Sequence, residues 1–457
     1  MHRFRTVGLA LCTAAVAGVM LLAGCSGTGT ATDPTIGPTS APDMLASGHS
    51  TPATAQHTET SPRSVASQPT QQNTPAVQPT PETITVAVWW PDELYPPADS
   101  AALALLDRQL DSFRSTYSAY GLDVRRKRTN GLGGILPTLR TAAPVAPGAL
   151  PDLTLMRRAD MLTAATEGLI VPLDDWIPSD VADSNLIAGT RALGEINGVL
   201  YGVPYALNFF HVAYRASVFD QPLLTFDDVL LNEPHYLFPA GTTLLNWTVL
   251  LQYLEAGGHL VDANGAVMLE REPLVTVLDY YARGVDRGIF GTNLLEFTQY
   301  DDYWNQFVAA EVHMVGVDSL TYLSQQASVQ NVGLAPIPTV DGLPVTALDG
   351  WMWVLTTQDP DRQQQARTFL SWMMRISQQS AFTEAFGVVP SQSRALRLWD
   401  DEVYADFAQT LLESALVIPG AQRSNSAAMA LQQSLVAVLD GESPEVAADA
   451  ALGKLAE

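Results

Sequence analysis

The residues best suited to hold a small polar molecule are aromatic rings and carboxylates at the ends of apolar runs. Ile84, Val86 and Val88 alternate with Thr85 and Ala87, a strand pattern that delivers Trp89-Trp90-Pro91-Asp92-Glu93 at its carboxyl end. In open α/β sheets ligands sit at that end. A second such stretch is Asp349-Gly350-Trp351-Met352-Trp353-Val354-Leu355, whose two tryptophans at i and i+2 share one face of a strand. That face is either core or the wall of a cleft lined for a flat ligand.

Signatures of catalysis are missing from the sequence. Acidic pairs stand at Asp174-Asp175, Asp227-Asp228 and Asp301-Asp302, but adjacent carboxylates on one chain seldom face each other across a scissile bond. Seven histidines show no metal-ligand spacing, and neither Gly-x-Ser-x-Gly nor His-Glu-x-x-His occurs. Gly131-Leu132-Gly133-Gly134 lacks the spacing of a phosphate loop, and the acidic offsets of 259–268 do not fit a calcium loop. A binding protein with no catalytic residues, metal or cofactor is therefore expected. The basic run Arg125-Arg126-Lys127-Arg128 reads as a solvated strand end, with an anion contact as the alternative.

These residues need elements to position them. Ser100 is placed to cap a helix carrying Leu103, Leu106, Leu110 and Phe113, so the first strand opens a βαβ unit. Asn197-Gly198 marks a tight turn, and the apolar run from Val203 through Asn208 to Tyr214 reads as a buried strand crossing between two layers. Trp247, Leu250, Leu251 and Leu254 mark a helix within 242–254. After Leu355 the chain breaks at Gln358-Asp359-Pro360, and Ala366, Phe369, Leu370 and Met373 recur at helical spacing.

At 457 residues the chain has room for two domains and extra segments. Residues 1–24 read as a secretion signal: Arg3 and Arg5 precede an apolar run that ends in Leu22-Ala23-Gly24-Cys25. This end resembles the lipobox of bacterial lipoproteins, which implies lipid attachment at Cys25 and a place on the extracytoplasmic face of the cell membrane. Residues 25–83 read as a disordered tether. In 26–82, 40 of 57 positions are Thr, Pro, Ser, Gln or Ala and none is aromatic, too little apolar area to offset ordering entropy. The other cysteine, Cys12, lies inside the signal, so no disulfide is expected. Without the signal, 22 basic residues face 48 acidic ones, a formal charge of −26 that argues against nucleic acid as a partner.

From Ile84 onward the chain resembles the carbohydrate-type extracellular solute-binding proteins of ABC importers, the group that includes maltose-binding protein. The resemblance rests on Gly198–Pro204 followed by Tyr214, Phe307–Met314 leading to Gly316, Pro336-Ile337-Pro338, Gly350-Trp351, the Ala366–Trp372 helix and Gly387-Val388-Val389-Pro390, in that order. It implies an α/β, two-lobed periplasmic-binding-protein-like fold with hinge crossings. One lobe would hold 84–203 with 350–388, the other 205–347 with 390–457. It implies a monomer that captures an oligosaccharide or similar solute and passes it to the permease subunits of an importer.

Carried over residue by residue, the resemblance puts Trp89, Trp90 and Asp92 at the first-strand position, Asn208 after the first crossing and Trp351 after the second. For Trp247, Trp353 and Trp372, which stand at helix or strand spacing, core packing is favoured over ligand contact. Two departures stand out. After Gly316 the expected small-residue-then-Trp pattern is replaced by Asp318-Ser319-Leu320, with Tyr322 the nearest aromatic substitute. Met156-Arg157-Arg158 stand where aromatic and acidic residues are expected, and Arg157 leaves room for an anionic group on the sugar. Asp92 also reads as a turn residue, and Asp318 as a helix cap. A secreted glycoside hydrolase, or a surface adhesin or sensor without an importer, are the rival readings.

Overall fold

The computed structural model describes residues 84–173, 185–242, 245–423 and 426–456. The signal, Cys25, the tether and the Asp174-Asp175 pair lie outside the described residues. The fold is α/β, built on a sheet of ten strands. In chain order these are β1 (Ile84–Pro91), β2 (Tyr120–Lys127), β3 (Leu153–Arg157), β4 (Val203–Arg215), β5 (Tyr236–Leu237), β6 (Met314–Asp318), β7 (Val332–Ala335), β8 (Thr346–Leu355), β9 (Val389–Pro390) and β10 (Ala415–Leu416). The main path runs β2-β1-β3-β8-β4-β6-β5; β7 and β9 also pair with β4, and β10 with β8.

The two long strands, β4 and β8, tie the molecule together. They run antiparallel to each other, with β3 on the far side of β8 and β6 on the far side of β4. Both appear in two hydrophobic clusters. The smaller gathers Val88, Trp90, Tyr205, Trp351, Trp353 and the buried faces of the helices Ala101–Thr116, Pro360–Met373 and Ile376–Phe386. The larger runs from the opposite face of the first strands, at Trp89 and Met156, along β4 into residues 209–451. Trp353 and Trp372 are buried, at 0 % and 4 % exposure, as their helical and strand spacing indicates.

Local signals set many element ends. Ser100 Oγ accepts from Leu103 N at 3.0 Å, and Asp359 caps the helix that Pro360 begins. Asn197 and Gly198 both take positive φ, 52° and 80°, joining the short strands Glu195–Ile196 and Val199–Leu200. Two of the acidic pairs serve helix starts. Asp228 completes a capping box with Thr225, and Asp302 accepts from the backbone of Thr298 and Gln299. Among the described residues no helix is long and apolar enough to cross a membrane.

One buried group on β4 makes stability depend on pH. His211 is fully buried among Phe209, Tyr322, Tyr404 and Phe407, and its Nε2 has no hydrogen-bond partner among the described residues. Burial lowers its pKa from 6.5 to about 4, only partly opposed by the Val212 carbonyl 3.3 Å from Nδ1. The unfolded chain takes up a proton below pH 6.5 that the folded chain refuses. The contribution of this group is therefore complete above 6.5 and is lost as pH falls through about 4, roughly 2 kcal/mol by about pH 5. His211→Phe should remove that component, so urea midpoints at pH 7 and about pH 5 should lie closer together in the variant than in the wild type.

Candidate functional site

Sheet register builds the site. Arg157 on β3 opposes Trp351 on β8, Asp349 on β8 opposes Asn208 on β4, and Phe210 on β4 opposes Asp318 on β6. Opposed residues, and residues two apart on one strand, point to the same face. Arg157, Trp351, Asp349, Asn208, Phe210 and Asp318 thus form one row across four strands. A register irregularity between Trp351 and Met352 leaves Tyr205 of β4 without an opposite residue, and the pairing then continues with Met352 opposite Pro204 and Trp353 opposite Val203.

That row floors a cavity of about 300 Å³, bounded by Arg157, Asn208, Phe210, Asp318 and Asp349 and walled by Trp247, Tyr300, Thr242, Asn246, Thr298 and Gln299. A smaller hollow beside it is lined by Arg157, Asn208, Asp349, Gly350 and Trp351. The wall has a simple local origin. Asn246 caps the helix Trp247–Glu255 by accepting from Val249 N, which puts Trp247 on the first turn rather than in the helix interior. Its ring is half-buried and stacks on Phe210, with centroids 4.8 Å apart and planes at 20°. Tyr300, just before the helix Asp301–Val308, closes the aromatic corner at 6.2 Å from Phe210.

Polar groups in the cavity are held in place by short-range bonds. Asn208 Oδ1 accepts from Ser319 Oγ and Leu320 N, while its Nδ2 donates to Asp318 Oδ2 at 3.1 Å. Asp318 Oδ1 accepts from Thr321 N at 2.7 Å, so Asp318 is a helix cap and a cavity residue at once. Asp349 Oδ1 accepts from the amide of Gly350 at 2.9 Å. A Cβ on Gly350 would lie 2.3 Å from the Ala206 carbonyl oxygen, which explains glycine between Asp349 and Trp351. Arg157 donates through Nε to Glu93, and its guanidinium lies 4.9 Å from the centre of the Trp351 ring. Burial, reinforced by the charge of Asp318, keeps the Tyr300 phenol neutral well above its ordinary range, so it stays a hydrogen-bond donor.

Of the residues singled out in the sequence, the structure brings Arg157, Asn208, Asp318 and Trp351 together and leaves four elsewhere. Trp90 is fully buried, its Nε1 donating to the Leu94 carbonyl at 2.8 Å and its ring edge-on to Tyr205, Trp353 and Phe382. Trp89 is 5 % exposed, packed in the other cluster with the Lys127 ammonium 4.4 Å from its ring centre. Strand alternation sends these neighbours into opposite cores, so neither lines the cleft. Asp92 Oδ1 accepts from Thr129 N and Oγ1 and serves as a turn anchor. Tyr322 is buried, stacked on Tyr404 with centroids 5.4 Å apart, and burial pushes its phenol up to about 12. It is not the missing platform. Trp247, assigned to the core from its spacing, is instead a cavity wall. The sequence reading also omitted Asp349, Phe210 and Tyr300. A capping Asn directly before Trp247, and Asp349 within the second crossing, were the available signals.

Arg157 also departs from expectation as an anion contact. It is paired with Glu93 and shares the cavity with the carboxylates of Asp318 and Asp349. Among the described residues no group of three or more His, Cys, Asp or Glu could hold a metal ion.

An α/β sheet crossed by two long strands, with an aromatic and polar cavity where they cross, defines a small-molecule binding protein of the periplasmic type. Residues 114–409 match the family of bacterial extracellular solute-binding proteins, and the chain belongs to that family. Among solved structures it is similar to the cyclic alpha-maltosyl-1,6-maltose binding protein of Arthrobacter globiformis, at 19% identity over 82% of this chain and 98% of that one, with a TM-score of 0.64. It is similar also to maltose-bound MalE of Listeria monocytogenes (14% identity, 81% and 97% covered, TM-score 0.63) and to the GacH receptor of Streptomyces glaucescens (17%, 82% and 99%, 0.60). At these identities the likeness establishes the fold. No curated protein matches the sequence.

Proposed function

We propose that this protein captures an oligosaccharide in the cavity at the β4–β8 crossing and hands it, chemically unchanged, to the permease subunits of an ABC importer, held at the membrane by a lipid on Cys25. The observation that carries the proposal is the row from Arg157 to Asp318 facing the Trp247–Phe210–Tyr300 corner. Sugar rings have apolar C–H faces that pack on indole and phenol rings, and hydroxyls that each need a partner once water is excluded. Asp318, Asp349 and Asn208 supply directional partners, and at about 300 Å³ the cavity suits one or two sugar rings rather than a long chain. The sugars named for similar structures, maltose, acarbose and a cyclic maltosyl-maltose, support this class of ligand.

We take the lobes to be 84–203 with 350–388 and 205–347 with 390–457. Ligand would draw them together about the crossings, with the protein acting as a monomer. A hydrolase reading gains nothing from the acidic pairs at 227–228 and 301–302, because Asp228 and Asp302 are committed to helix starts.

The test is a thermal-shift screen of neutral and charged oligosaccharides with tryptophan fluorescence read in parallel. A ligand should raise the melting temperature by several degrees at saturating concentration and perturb Trp247 emission. Asp349→Ala should weaken the best hit about tenfold or more. Release of reducing sugar from any substrate, or full affinity in Asp349→Ala, would overturn the assignment.

A further inference from the structure

The cleft has a neighbour that the proposed function does not use. At the carboxyl ends of β1 and β2 an open hollow of about 480 Å³ is lined by Asp92, Glu93, Arg126, Arg128, Thr129 and Asn130. We propose, building on the oligosaccharide reading, that Arg126 and Arg128 in this hollow receive an anionic substituent, a carboxylate, phosphate or sulfate, borne by the sugar whose neutral part occupies the cavity at Trp247.

Position comes first. The hollow lies at the ligand-binding end of two parallel strands. It is joined to the main site by one side chain: Glu93 accepts from Arg157, which lines the main cavity, and from Asn130, which lines the hollow. An oligosaccharide bound in this way spans that link.

Charge decides what the hollow prefers. Its two carboxylates are already engaged, Asp92 by the backbone and hydroxyl of Thr129 and Glu93 by Arg157 and Asn130. Neither Arg126 nor Arg128 forms an ion pair among the described residues. Both are exposed, and Arg126 rests against the Tyr95 ring at 5.6 Å. In a chain of 48 acidic and 24 basic residues, two neighbouring arginines that form no ion pair among the described residues, at the lip of a hollow where the charge of Arg126 reaches Asp92, are not an average surface. Arg126 lies near the end of β2 and Arg128 just past it, bridged to Gly134, and both line that lip with guanidinium groups able to donate to an anion. The main cavity offers an anion the opposite prospect. There Arg157 is paired and Asp318 and Asp349 face the ligand. An acidic sugar is therefore oriented, neutral end at Trp247 and charged end at the arginines.

Calorimetry on the full mature protein with matched pairs of tetrasaccharides (malto-, xylo- and cello-series, each neutral or capped by one uronate) tests this, together with sulfate alone. The wild type should bind the uronate-capped member of at least one pair about tenfold or more tighter than its neutral partner, at low salt and less so at high salt. The exposed double variant Arg126→Gln/Arg128→Gln should keep its affinity for the neutral member and lose the preference. A preference absent from every pair, or one that survives in the double variant, overturns the proposal. So does arginine-dependent binding of sulfate with no gain for any capped sugar, which would make the hollow a free-anion site. If neutral sugars also fail to bind, the oligosaccharide reading falls with it; failure confined to the capped sugars sinks this inference alone.

Discussion

Trp247→Ala is expected to weaken binding of the best oligosaccharide ligand about 30- to 100-fold, measured by calorimetry or by titration of the remaining tryptophan emission. The indole lines the cavity and stacks on Phe210 at 4.8 Å, so truncation removes aromatic surface and widens the aromatic corner in one step. Tyr300 remains but stands at 43° to Phe210, poorly set to replace a flat platform. Because Trp247 sits half-buried on the first turn of its helix, the fold should lose only about 1 kcal/mol, checked by urea titration. Trp351→Ala should behave in the reverse way. That ring is 2 % exposed and part of the smaller core, so its removal costs stability before it costs affinity. A Trp247→Ala protein that binds its sugar as tightly as the wild type would show that the aromatic corner is packing and not a platform.

Asp152→Ala is expected to destabilise the protein by about 3–5 kcal/mol, read as a lower urea midpoint with an unchanged slope. Asp152 is 1 % exposed just before β3, and its carboxylate accepts from Ala87 N at 2.8 Å and meets Arg362 Nε at 2.7 Å. It ties β1 to the helix Pro360–Met373 across the first part of the sheet. Alanine leaves the Ala87 amide unsatisfied and takes the carboxylate away from Arg362, whose side chain is 26 % exposed. Asp152→Asn can still accept from Ala87 and should lose less. Sugar affinity should stay near wild type in the folded fraction of both variants, since Asp152 lies in no part of the cavity. Equal stability of wild type and Asp152→Ala would show that the pair contributes nothing net.

How much of this was legible in the sequence can be judged from single residues. Gly198, Gly350 and the Asp359-Pro360 break mark places where backbone geometry itself restricts the residue, so turn and crossing positions could be read directly. Trp90 and Tyr322 could not. Each sits beside a genuine strand end or helix start, and whether its ring enters the core or the cleft depends on which strands flank it. Trp247 shows the converse, since its helical spacing is that of a core residue and only the start set by Asn246 turns it outward.

The sequence by itself determined strands, helices and turns, because local propensity and turn chemistry act over a few residues, and six short motifs in order carried the resemblance that implied the class of fold. It also placed Arg157, Asn208, Asp318 and Trp351 among the candidates. Only the tertiary structure decided that Arg157, Asn208 and Asp318 meet Asp349, Phe210, Trp247 and Tyr300 around one cavity, with Trp351 at the smaller hollow beside it, and that Trp89 and Trp90 turn away into two different cores. Register between β3, β8, β4 and β6 joins residues as far apart as Leu153 and Leu355, and no local pattern encodes which partner a strand will choose.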